Sequence, residues 1–327
     1  MSENISSPQP LRPAKGRSTG RRVLTWLLIG VSFIAWIGAA GATIERARAS
    51  YDARTVSRVG VAVSLGHGRV LNMNCTGPRS AAAGTIVLEA GLGESSVSWS
   101  DVQSRLSADR RVCSYDRAGY GWSPVATGSK DAITQGRELY SLLHAAGERG
   151  PYTLAAHSLG AFVVRAFASA HVDEVHALIL VDPTSENDVI DAGEPVLPLL
   201  ATRLEAILSR VGLTRIGVEQ RVRDEAGATP PQAVTARASF LYRAQAIETS
   251  IDELAASVSS AKEMLQLPLR ADLPVKILLS DENFEKRANV MSALTKRTSI
   301  EHLNGGHYLQ YEHLARVTDA IALSASD

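Results

Sequence analysis

Ser158 stands in the run Leu-Ala-Ala-His-Ser-Leu-Gly-Ala-Phe-Val at 154–163, with Ala156 two residues before it and Gly160 two after. A serine hydroxyl is a weak nucleophile at neutral pH. It becomes an effective one when an imidazole takes its proton, a carboxylate fixes the imidazole tautomer, and backbone N–H groups receive the oxyanion that forms. Small residues at these two positions suit a sharp strand-to-helix turn that lifts the hydroxyl clear of a sheet. The same spacing also fits a serine that merely caps a helix. The choice between the two rests on the partners the rest of the chain supplies.

His307 is the candidate base, because it follows Gly305-Gly306 in a turn after the last predicted strand. His302 lies within that strand and reads as structural, and His313 falls on the final predicted helix. His157 adjoins Ser158, but side-chain alternation along a strand points it away from the turn. Two acids suit the orienting role: Asp182, at the end of the strand after the serine, and Asp281, at the end of a later strand with Glu282 beside it. Either gives the chain order Ser, Asp, His. For the oxyanion, the N–H of Leu159 directly follows the nucleophile, and Leu92 between Gly91 and Gly93 offers a second donor. Preorganised donors of this kind are each worth about 10²–10³ in rate.

These residues need a scaffold, and the hydrophobic pattern supplies one. Residues 58–75 alternate around Gly66-His67-Gly68, as a hairpin does. The short apolar runs at 85–90, 110–116, 152–157, 175–182, 273–281 and 297–303 read as strands, most of them buried on both faces. Helical spacing separates them at 132–147 and after Gly160, and a last amphipathic helix is predicted from Tyr308 onward. The expectation is an α/β fold with a mainly parallel eight-stranded sheet flanked by helices. The core would comprise 58–183 and 271–327, and 184–270, which loses the strand rhythm, would be a helical cap at the sheet's C-terminal edge.

The N-terminus follows other rules. Residues 1–22 are rich in Ser, Pro and basic side chains and read as a disordered cytoplasmic tail. Val23–Ile44 is uncharged throughout and long enough to cross a bilayer, with Trp26 and Trp36 as interfacial anchors. Residues 45–57 read as a charged linker. The basic flank predicts an uncleaved anchor with the catalytic domain extracytoplasmic, periplasmic or on the cell surface. The alternative is a signal segment cut near Ala40-Gly41-Ala42, which would release the domain. An oxidising compartment permits a disulfide between Cys75 and Cys113, against the alternative of two buried thiols. Acidic and basic residues balance at 34 each, so no global field points to nucleic acid. No metal-ligand spacing or P-loop is present in the 327 residues.

In order, the stretches "VLEAGLG", "VCSYDRAGYGWSP", "AAHSLGAFVVRAFA", "LILVDP" and "NGGHYLQ" resemble the α/β-hydrolase fold superfamily. The resemblance is closest to bacterial hydrolases that carry the DRAGYGWS element. It covers about 57–183 and 272–325. It implies that Asp116, Gly119, Gly121 and Ser123 shape a loop and that the cap sets substrate range. It also implies a serine hydrolase of carboxylic esters or related acyl compounds, needing no cofactor or metal and taking a small-molecule substrate. Amide, thioester or carbon–carbon cleavage would use the same motifs, and a membrane-tethered, inactive binding protein is the alternative outside catalysis. The sequence departs from the family at Ala90-Gly91, where the family has His-Gly, and at Asn283, where many members have the acid. That second departure makes Asp182 the first choice and Asp281 the alternative.

Overall fold

The short apolar runs become the strands of one eight-stranded sheet, ordered β1-β2-β4-β3-β5-β6-β7-β8, in the computed structural model of the chain. The structure describes residues 18–79, 84–216, 222, 231–241, 243–282 and 284–325. Most of the expected tail, and Asn283, lie outside the described residues.

β1 (Val61–Gly66) and β2 (Arg69–Thr76) form the antiparallel hairpin, and β2 pairs antiparallel with β4 (Arg111–Asp116). The others run parallel: β3 (Thr85–Glu89), β5 (Tyr152–His157), β6 (Val175–Val181), β7 (Pro274–Leu279) and β8 (Arg297–His302). Alternation explains why the central strands are mostly apolar on both faces. Val87 of β3 joins a core beneath α3 (Ala132–Ala145) and α4 (Gly160–Ala170), with Leu139, Leu142, Val164 and Phe167. Ile86 and Leu88, its neighbours, join a second core with Trp99, Val102 of α2 (Ser100–Leu106) and Ile321. With both faces covered, no position on these strands is left for a solvated side chain.

The connection from β4 crosses to the far side of β3, so β3 and β5 flank the point where strand order reverses. Ligand sites in open α/β sheets lie outside the carboxyl ends of the strands at such a point. The described residues between β6 and β7 form a largely helical insertion. It contains α5 (Glu186–Ala192), α6 (Val196–Arg210), α7 (Pro231–Leu241) and α8 (Ala244–Met264). Ala261 and Met264 of α8 pack with Phe162 and Ala166 of α4, which seats the insertion on the sheet's covering helix.

Three features differ from the sequence expectation. Helix α1 runs from Ser18 to Thr55, so it takes in the last residues of the expected tail and nearly all of the expected 45–57 linker. Glu, Arg and Ala favour a helix there, and Glu45 and Asp52, two turns apart on one face, both bind Arg215 at 2.7 Å. The final helix is interrupted between α10 (Leu309–Glu312), after β8 and α9 (Phe284–Met291), and α11 (Leu314–Ser324). At the break His313 has φ −122° and ψ 42°, and its Nε2 pairs with the Asn304 carbonyl at 2.5 Å. Finally, His157 does not point clear of the histidine loop, since its Nε2 lies 2.9 Å from the His307 carbonyl oxygen. Helix α1 is long and apolar enough to cross a membrane. Cys75 and Cys113 face each other across β2 and β4 and are joined by a disulfide.

Candidate active site

Ser158 leaves β5 with φ +51°, a left-handed conformation that few non-glycine residues adopt. The turn is closed by the Ser158 N–H donating to the Val181 carbonyl at 3.1 Å and by Ala161 N–H donating to Ser158 O at 3.1 Å. Gly160 is required by close approach: a Cβ there would lie 2.5 Å from the Ala90 carbonyl oxygen. The small residue two beyond the serine thus lets α4 begin directly against the end of β3.

His307 reaches the serine from the loop after β8. Its Nε2 lies 2.9 Å from Ser158 Oγ, and its Nδ1 lies 2.5 Å from Asp182 Oδ2. Asp182, at the end of β6, is fully buried and also has positive φ, +41°. The Ser280 N–H donates to its other oxygen at 3.0 Å, and Arg287 does so at 3.2 Å. Burial works against the charge. The bonds from His307 and Ser280 and the nearby cations outweigh it and hold the carboxyl below its ordinary value. Asp281, the other expected acid, binds His302 Nε2 at 2.8 Å and the Gly305 N–H at 2.8 Å, so it braces the histidine loop without touching His307.

The loop after β3 closes on the serine from the other side. A Cβ on Gly91 would lie 3.3 Å from Ser158 Cβ. The N–H groups of Leu92 and Leu159 have no acceptor among the described residues. Both residues are half-buried, Leu159 next to Ser158 in the chain and Leu92 next to Gly91 on the loop that approaches it.

Sequence reasoning missed the charged groups beneath this loop. Arg117, inside the DRAGYGWS stretch, is buried with all five guanidinium donors used. They reach Glu89, the Ala90 and Gly91 carbonyls, and both oxygens of Glu253 on α8, at 2.8 and 2.9 Å. Tyr120 Oη donates to Glu253 at 3.0 Å and accepts from the Gly93 N–H at 3.4 Å. The cap is therefore fastened to the loop that carries Leu92. Asp116 accepts from the Ser96 and Trp122 N–H groups at 2.7 and 3.0 Å, and a Cβ on Gly121 would strike its carboxylate at 2.3 Å.

A second buried pair lies under His307. His157 Nδ1 sits 2.9 Å from Glu94 Oε2, and its Nε2 sits 2.9 Å from the His307 carbonyl oxygen. Both partners accept, so the ring donates from both nitrogens as an imidazolium. Burial opposes that charge, but Glu94 and the carbonyl raise the His157 pKa. Burial likewise opposes ionised Glu94, yet His157, Arg237 and the Gly91 N–H lower its pKa to about 2. The period-two signal pointed His157 away from the turn, but the loops that carry Glu94 and His307 both fold onto its ring.

A family model of the α/β-hydrolase fold matches residues 84–219. The chain is 36% identical over 99 residues to the uncharacterized protein YqjL of Bacillus subtilis, a stretch covering 30% of this chain and 39% of that protein. The chain thus spans about two fifths of this relative's length. Among solved structures, it resembles the enol-lactonase from Burkholderia xenovorans LB400, with TM-score 0.61 and 16% identity over 81% of this chain and 100% of the other. It resembles E-2-(acetamidomethylene)succinate hydrolase with TM-score 0.59 and 18% identity, over 82% and 99% of the two chains. The chain has the α/β-hydrolase fold.

Proposed function

We propose that this chain is a serine hydrolase of carboxylic esters or closely related acyl compounds, with Ser158 as nucleophile, His307 as base and Asp182 as orienting acid. The observation that carries the reading is the continuous line from Asp182 Oδ2 through the His307 ring to Ser158 Oγ, at 2.5 and 2.9 Å. The N–H groups of Leu92 and Leu159, which have no acceptor among the described residues, support it.

In this reading His307 Nε2 takes the hydroxyl proton as Ser158 Oγ attacks the acyl carbon. The carbonyl oxygen gains negative charge and is received by the Leu92 and Leu159 N–H groups. Asp182 stays ionised and stabilises the imidazolium without taking its proton. His307 then gives its proton to the departing alkoxide, which leaves an acyl-Ser158 ester. Water loses a proton to His307 as it attacks that ester, and collapse returns the proton to Ser158 Oγ and releases the acid. A serine at this turn does not suit epoxide hydrolase or dehalogenase chemistry, which in this superfamily uses an aspartate nucleophile.

The apolar stretch of α1, the basic residues before it and the disulfide support a membrane-anchored protein with its catalytic domain outside the cytoplasm. The function is tested by treating the chain with a fluorophosphonate probe. Labelling of the folded wild type and its loss in Ser158→Ala are expected. A folded wild type that stays unlabelled overturns the reading.

A further inference from the structure

The cap carries an apolar surface that neither the fold nor the candidate site accounts for. Along α6, Val196, Leu197, Leu200, Leu204 and Ile207 are each more than half exposed. At 100° per residue they share one arc of about 100°, the width of a core-facing stripe. The opposite side, with Ala206 and Ser209, is buried, and α6 packs along α8. Leu213 and Ile216 extend the exposed apolar surface past the helix. Arg203 and Arg210 lie exposed along its edge.

What this surface meets follows from α1. The uncharged run Val23–Ile44 is about 33 Å long as a helix, the thickness of a bilayer's hydrocarbon core. Its outer end touches the cap: a Cβ on Gly41 would lie 2.7 Å from the Val211 carbonyl oxygen, directly after α6. Beyond it, a Cβ on Gly212 would lie 3.2 Å from a Glu45 oxygen, and Arg215 pairs with Glu45 and Asp52. Gly41 precedes the first charge, Glu45, by about 6 Å of helix rise. If α1 spans a bilayer, the C-terminal end of α6 is therefore held at the level of the headgroups. An amphipathic helix in that layer buries its apolar face about 5–10 Å deep and keeps cationic side chains at the surface. Arg203 on α6, and exposed Arg46 and Arg48 on α1, are the cations this arrangement requires, while exposed Arg210 pairs with Glu248.

We propose that the exposed face of α6 is a membrane-docking surface that rests in the outer layer of the bilayer α1 crosses. Neither this surface nor its test depends on the hydrolase reading. The test uses the full chain in phosphatidylethanolamine–phosphatidylglycerol vesicles, with single cysteines at Leu200, Leu204 or Ile207 carrying a nitroxide. The native cysteines are bridged and do not react. Val125→Cys, on an exposed loop residue of the core, is the aqueous reference. Labels on α6 are expected to collide more with dissolved oxygen than with a water-soluble nickel complex, and the Val125 label less. In Leu204→Glu/Ile207→Glu, the Leu200 label is expected to become accessible to nickel. Nickel access on α6 equal to that at Val125 overturns the proposal. So does spin–spin broadening on α6 that disappears when unlabelled chain is added in excess, because a second copy would then cover the face.

Discussion

Replacing Glu253 by alanine tests how the cap is held against the loop beside Ser158. Glu253 accepts two of the five Arg117 donors and further bonds from Tyr120 and Gln135, and both ends of the ion pair are almost wholly buried. Each buried donor left without an acceptor costs about 1–3 kcal/mol, and removing one partner of a buried pair costs about 3–5 kcal/mol. Glu89 still balances the Arg117 charge, which puts the expected loss near the lower end, about 3 kcal/mol. For a domain of this size that lowers Tm by about 6–12 °C. Activity should fall too, since Arg117 also fixes the Ala90 and Gly91 carbonyls and through them the Leu92 N–H. An oxyanion donor is worth about 10²–10³, and a displaced donor loses part of that, so kcat/KM should drop about 10–100-fold. The assays are tryptophan-fluorescence melting of the full chain in detergent micelles and turnover of an activated aryl ester. The double variant Arg117→Met/Glu253→Leu should recover neither stability nor turnover, because it leaves Glu89 buried without its cation and the Ala90 and Gly91 carbonyls without their donor. A Glu253→Ala protein that melts within about 1 °C of wild type and turns over at the wild-type rate would refute the reasoning.

Asp182→Asn should lower kcat about 10⁴-fold by supporting the wrong imidazole tautomer, whereas Asp281→Asn, which loses contacts only to His302 and Gly305, should stay close to wild type. Ester turnover of the two variants compares them directly, and the reverse order would remove Asp182 from the mechanism. Glu94 has its pKa lowered from 4.5 to about 2, so its stabilising contribution is complete above about pH 4.5 and is lost as pH falls toward 2. His157, with its pKa raised from 6.5, contributes fully below that value and loses its contribution as pH rises through the raised one. Melting curves across this range should therefore show a shallower acid limb in Glu94→Gln than in wild type, and an unchanged limb would show that the pair carries no linked charge.

The sheet was legible because its central strands are short apolar runs bounded by turn residues, and a strand covered on both faces leaves no other pattern. The small residues around Ser158 and the Gly-Gly before His307 likewise mark turns that only certain backbones make. Choosing between Asp182 and Asp281 from sequence was harder, since both end strands at the same edge and differ only in which loop folds toward them. Arg117, Glu253, Glu94 and His157 were illegible for a related reason. Their partners lie on segments distant in sequence, and a buried ion pair leaves no periodic trace. The 45–57 stretch read as a linker because it is charged, yet charge on a helix face becomes a docking device when an arginine waits opposite.

The positive φ values at Ser158 and Asp182 bear on how this protein responds to engineering. Left-handed backbone at a non-glycine residue costs roughly 1–3 kcal/mol, and glycine relieves it. Ser158→Gly should therefore melt above Ser158→Ala, although both lack the hydroxyl. At Asp182 the buried bonds to His307, Ser280 and Arg287 outweigh that strain, so it is at Ser158, the proposed nucleophile, that heat resistance and turnover pull in opposite directions.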